Sequence, residues 1–136
     1  MEPEYRGGCL CGRVRYVAQG EPIDAGYCHC RMCQRAGAPV LAWATFPLEA
    51  FAYEGDPPER YASSPGNARE FCPRCGSQLA FRELAAPRID VNIGTLDEPE
   101  RCPPDYHIFT DSRIPWFDTR DELPRHRDSG PDGALG

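Results

Sequence analysis

The sequence predicts a single, mainly β domain of short antiparallel strands stapled by metal, and three observations carry that expectation. Seven of the eight cysteines fall into three tight groups: Cys9-Leu10-Cys11, Cys28-His29-Cys30-Arg31-Met32-Cys33 and Cys72-Pro73-Arg74-Cys75. The segments between them alternate polar and apolar residues or form brief apolar runs, while stretches of ten or more residues with a helical period are missing. Fifteen prolines and thirteen glycines in 136 residues mark a chain that turns often. A chain of this length has room for a modest core and gains from metal crosslinks.

In chain order, residues 7–12 (Gly-Gly-Cys-Leu-Cys-Gly) put two sulfurs at i and i+2, which share one face of an extended strand. The flanking glycines let the backbone close around an ion. Residues 13–18 alternate over part of their length and predict a half-buried strand. The middle cysteine group follows, and the best helical candidate is a single turn after Cys30. Residues 40–46 are almost continuously apolar between Pro39 and Pro47, which predicts a strand buried on both faces. Residues 51–53, 78–82 and 89–93 are further short strands. Between them, Cys72-Pro73-Arg74-Cys75-Gly76 has the form of a zinc knuckle: a two-residue spacer sets both sulfurs on one side of a tight turn, and Gly76 can take positive φ. Trp43 and Trp116 are expected in the core. From about Asp118 the chain becomes polar, so residues 1–124 are expected to form the domain and residues 125–136 a disordered tail.

Clustered thiols can ligate a metal or form disulfides, and the compartment decides between them. Residues 1–8 are acidic and polar without the apolar segment of a signal peptide, and no apolar run approaches the 18 or so residues of a membrane span. A reducing cytoplasm is therefore expected, where clustered cysteines serve as metal ligands. Zinc fits the spacing better than an iron–sulfur cluster. The simplest division pairs Cys9 and Cys11 with Cys72 and Cys75 in a closed structural site. Cys28, Cys30 and Cys33 then hold a second zinc, giving two per chain. Three sulfurs leave one coordination position open, which suits a thiol ligand; a fourth protein ligand from His29, His107 or Cys102 would close it instead.

All fifteen basic residues are arginines, so no lysine is present to form a Schiff base. The net charge is −6, and thiolate-bound zinc lowers it further, which argues against a nucleic-acid partner. Arg31 and Arg35 flank the open cluster and either steer an anionic substrate or offset the charge of the site, as Arg69 and Arg74 could also do. Arg35 is the candidate substrate-binding residue. Cys102 is expected to be a free cysteine, and His107 a hydrogen-bonded strand residue rather than a general base.

Residues 8–16, the Cys28–Cys33 segment with Gln34 and Arg35, and residues 69–79 together resemble the glutathione-dependent formaldehyde-activating enzyme family, also named for centromere protein V. Residues 93–99 and 104–109, Ser112-Arg113 and Pro115-Trp116 extend the likeness, which runs from about Tyr5 to Pro124. The resemblance implies an Mss4-like (β-tent) fold, the same division into structural and open zinc sites, and a carbon–sulfur lyase that joins formaldehyde to glutathione. Cys28, Cys30 and Cys33 would then line the active site. One small residue fewer stands between Ala36 and Gly37 than in the family pattern. The competing function is a non-catalytic zinc module that binds a protein partner, as other Mss4-like folds do.

Overall fold

The computed structural model describes residues 2–132. Ten strands form two sheets. The smaller sheet contains β1 (Glu4–Gly8), β2 (Val14–Gln19) and β5 (Phe51–Gly55), with β2 in the middle and both pairings antiparallel. The larger sheet has seven strands in the order β10-β3-β4-β9-β8-β7-β6. Its members are β3 (Asp24–Cys28), β4 (Leu41–Pro47), β6 (Glu59–Ser64), β7 (Asn67–Phe71), β8 (Gln78–Glu83), β9 (Arg88–Asn92) and β10 (His107–Ile108). All neighbours run antiparallel except β10, which lies parallel to β3. One six-residue helix, α1 (Arg31–Ala36), follows β3.

The main core lies where the two sheets face each other. Tyr5, Val14, Tyr16 and Ala18 from the small sheet meet Ala44, Phe46, Leu79, Ile89 and Val91 from the large one. The period-2 pattern of residues 14–18 accounts for this, since Val14, Tyr16 and Ala18 all point inward. β4 sits among the central strands and is buried on both faces, as its unbroken apolar run predicts. Its even residues Ala44 and Phe46 join the main core, while Trp43 packs on the opposite face with Cys28, Cys33, Tyr106 and Ile108. Gly26 on β3 stands opposite Trp43, and a Cβ there would lie 2.5 Å from the indole ring. Only glycine lets Trp43 lie across β3.

Two expectations are corrected. Cys9 to Cys11 is not extended strand but the turn of the β1–β2 hairpin, closed by the Gly12 N–H donating to the Cys9 carbonyl (3.1 Å) with Gly12 at φ +82°. Trp116 is 75% exposed, because the prolines and turns around it leave no strand to pack it inward. Residues 125–132 run beside β10: the His126 N–H donates to the His107 carbonyl (2.8 Å) and the Phe109 N–H to the Asp128 carbonyl (2.9 Å). Residues 133–136 of the expected tail lie outside the described residues.

Candidate metal centres

Two groups of sulfurs converge. Those of Cys9, Cys11, Cys72 and Cys75 lie within 4.8 Å of one another, and so do those of Cys28, Cys30 and Cys33. The first group joins two turns, one ending β1 and one ending β7. In each, a glycine with positive φ follows the second cysteine: Gly12 at +82° and Gly76 at +80°. Peptide N–H groups point at the sulfurs, from Val14 to Cys9 Sγ (3.3 Å) and from Cys75 to Cys72 Sγ (3.5 Å). The Ser77 hydroxyl lies 3.2 Å from Cys75 Sγ. Such contacts stabilise thiolates. The Cys9–Cys11 and Cys11–Cys72 sulfur separations are 3.6 and 3.8 Å. A tetrahedron of metal–sulfur bonds near 2.3 Å places its sulfurs about 3.8 Å apart, so the donor set fits a thiophilic metal ion.

The second group is built on the β3–α1 corner. Cys28 ends β3, Cys30 caps α1, and Cys33 is the buried residue of the helix. The Cys33 N–H donates to Cys30 Sγ (3.3 Å). Gln34 and Ser112 hold the corner in place: the Gln34 amide and the Ser112 hydroxyl both donate to the His29 carbonyl, at 2.8 and 3.0 Å. Three thiols this close share their protons. Hydrogen bonds from Cys28 and Cys33 stabilise the Cys30 thiolate and pull its pKa down, while the same pairing pushes Cys28 up. A soft cation would replace those shared protons.

Among the described residues no fourth side chain joins this group. His29 points away and shares a 2.8 Å hydrogen bond between its Nε2 and His107 Nδ1. His107 Nε2 in turn lies 3.1 Å from Asp121 Oδ1, and both rings are buried. Burial, followed by repulsion from His107, brings His29 down to about 4, so it is neutral at pH 7. His107 is thus a hydrogen-bonded strand residue, as expected. Cys102 lies in the main core and belongs to neither group; burial raises its pKa.

Members of the three-sulfur group line two cavities. An inner chamber touches Cys28 and Cys33 and is lined further by Leu41, Trp43, Ile108, Ala80, Asp90 and Asn92. An outer groove touches Cys30 and is bordered by Arg31, Met32, Asn67 and Phe109. Arg69 and Phe81 line both. Arg69 is buried on β7, with its guanidinium over the Phe81 ring and Nη2 3.6 Å from Cys33 Sγ. Among the described residues that sulfur is the one side-chain hydrogen-bond partner of Arg69, and no carboxylate pairs with it. The sequence brought Arg69 forward only through its nearness to Cys72. Arg35 is exposed on α1 and lines neither cavity, and Arg74 is exposed on the knuckle. α1 turns Cys33 inward and Arg35 outward, a distinction that spacing along the chain did not make.

The chain is thus a cysteine-rich protein with a mainly β, Mss4-like fold and two thiol clusters that could each hold a metal ion. Residues 4–112 match the family described as "Glutathione-dependent formaldehyde-activating enzyme", and the chain belongs to that family. A crystal structure of a Rhodobacter sphaeroides protein is similar in fold, with a TM-score of 0.56 at 22% identity over 88% of this chain and 98% of that one. No curated protein matches the sequence.

Proposed function

We propose that the protein binds two zinc ions per chain and acts as a carbon–sulfur lyase on a small thiol adduct of the glutathione–formaldehyde type. In this reading Cys9, Cys11, Cys72 and Cys75 hold a structural ion, and Cys28, Cys30 and Cys33 hold the ion of the active site. The observation that carries the reading is a three-sulfur group that no fourth side chain joins among the described residues and that lines two cavities. Zinc held there would offer a coordination position to a thiol and lower that thiol's pKa. Family membership supports glutathione and formaldehyde as the model reactants. A reducing cytoplasm, proposed as the location, would keep all eight thiols available.

The remaining work falls to the chain's own residues. Arg69 offsets the negative charge of the cysteine group through Cys33 and keeps further N–H groups at the junction of the two cavities. In the joining direction the thiol sulfur bonds to the carbonyl carbon, the C=O π pair moves onto oxygen, and the proton lost from sulfur ends on that oxygen. Cleavage reverses each step: the hydroxyl loses its proton, C=O re-forms, and the C–S electron pair returns to sulfur. Fixed N–H donors at the oxygen favour the charge that develops there, and Arg69 is the donor in place to do so. Trp43, Leu41 and Ile108 restrict water on the inner side.

Elemental analysis should find about two zinc ions per chain. In cobalt-substituted protein, glutathione should strengthen the sulfur-to-cobalt charge-transfer absorption. One metal per chain, or no spectral response to any small thiol, would overturn the reading in favour of a zinc module that binds a protein partner.

A further inference from the structure

The two cavities beside the three-sulfur group differ in chemistry, and that difference bears on what the site accepts. The outer groove mixes apolar Met32 and Phe109 with Arg31, Ser64, Asn67 and Glu83, polar groups able to meet a hydrophilic carrier thiol that the inner chamber largely lacks. The inner chamber is walled chiefly by carbon: Leu41, Trp43, Ala80, Phe81 and Ile108. Gln78, Asp90 and Asn92 add a polar end, and apart from Arg69 no basic residue lines it, so no second cation is there to receive the carboxylates of a molecule such as glutathione. Formaldehyde has only hydrogens on its carbonyl carbon and would leave these walls uncovered.

We infer that the site selects thiol adducts of aldehydes bearing a small apolar substituent, with that substituent in the inner chamber and the carrier's polar body in the outer groove. The inference rests on the proposed thiol-binding metal centre and adds the identity of the carbonyl side. Leu41, Trp43 and Ile108 are the specificity-determining residues. The substrate sulfur would sit beside the cysteine group, with its two substituents diverging, one toward each cavity. Each methylene moved from water into such a chamber strengthens binding about fourfold.

The test is a series of ethanethiol, 1-propanethiol and 1-butanethiol titrated into the cobalt-substituted full chain, with 2-mercaptoethanol as the polar match for propanethiol. Affinity should rise about tenfold to twentyfold from ethanethiol to butanethiol, and mercaptoethanol should bind several-fold more weakly than propanethiol. Ala36→Leu, placed at the chamber wall on the last residue of α1, should flatten the series with metal content retained. Thiols that bind with no dependence on chain length would overturn the inference and leave the metal-centre reading standing. No response to any thiol, glutathione included, would overturn both. The wild-type series decides the matter even if Ala36→Leu does not fold.

Discussion

Replacing Cys72 with alanine should cost the protein most of its stability, whereas Cys28→Ser should not. Cys72 is buried at 1% exposure and its sulfur lies 3.8 Å from Cys11, 61 residues earlier in the chain. A crosslink closing a loop of about 60 residues contributes about 4 kcal/mol on the chain-entropy account. Domains of this size have stabilities of roughly 5–15 kcal/mol, so this one contact accounts for a large share. At about 3 °C per kcal/mol, the melting temperature should fall by roughly 12 °C from loop closure alone, before the Cys72 packing contacts are counted. Cys28 and Cys33 close a loop of only a few residues, and their metal can add little through chain entropy. Paired thermal melts with metal analysis on the same samples would measure this. The four-sulfur site would lose its structural role if Cys72→Ala bound one zinc fewer yet melted within about 3 °C of the parent protein.

Arg69→Gln should keep both metal ions yet weaken binding of an anionic thiol by about tenfold or more, the value of one charge-assisted hydrogen bond, while Arg35→Ala should leave it unchanged. Calorimetry on the two variants separates the buried guanidinium from the exposed one. Gly26→Ala should destabilise the fold by about 1–3 kcal/mol in denaturant titration and shift the Trp43 fluorescence, because its Cβ would meet the indole at 2.5 Å. Stability should also fall as pH rises above about 10. Burial raises the pKa of Tyr16, and burial together with the hydrogen bond to Glu70 raises that of Tyr53, so the unfolded chain loses these protons first. Tyr16→Phe should make the alkaline decline of the melting temperature shallower; an unchanged slope would place its cause elsewhere.

The cysteine clusters were legible because the spacing of thiols along a chain limits what they can share, strand 14–19 because its apolar residues repeat at the period of a sheet, and strand 41–47 because a short, almost continuous apolar run suits a strand buried on both faces. What stayed hidden depended on partners distant in sequence. β3 (Asp-Ala-Gly-Tyr-Cys) contains a glycine that looks like a breaker, yet Gly26 is needed because Trp43 crosses it from β4. β7 (Asn-Ala-Arg-Glu-Phe) carries two adjacent charges that look solvated, and both are buried. Glu70 is satisfied by the Tyr53 hydroxyl at 2.7 Å and by Arg60 at 2.8 Å, and Arg69 by the Cys33 sulfur. Local hydropathy cannot register such compensation. The same reasoning explains why Arg35, rather than Arg69, looked suited to the open cluster from its position in the chain.

The placement of Arg69 ties the two metal centres together. Arg69 and Cys72 lie three residues apart at the end of β7, where the register against β8 shifts between Glu70 and Phe71. The knuckle after that irregularity is anchored to the β1–β2 turn through the four sulfurs. One end of β7 is thereby fixed to the small sheet while its buried arginine reaches the cysteine group on the β3–α1 corner. A flexible knuckle would leave the position of β7 to a shifted ladder and a single 3.6 Å contact, too weak to hold a guanidinium at a reacting oxygen. On the proposed function, a metal ion in the four-sulfur site would contribute to the chemistry indirectly, by making the neighbourhood of the three-sulfur group rigid. Its ligands are therefore expected to matter for turnover even where the protein remains folded.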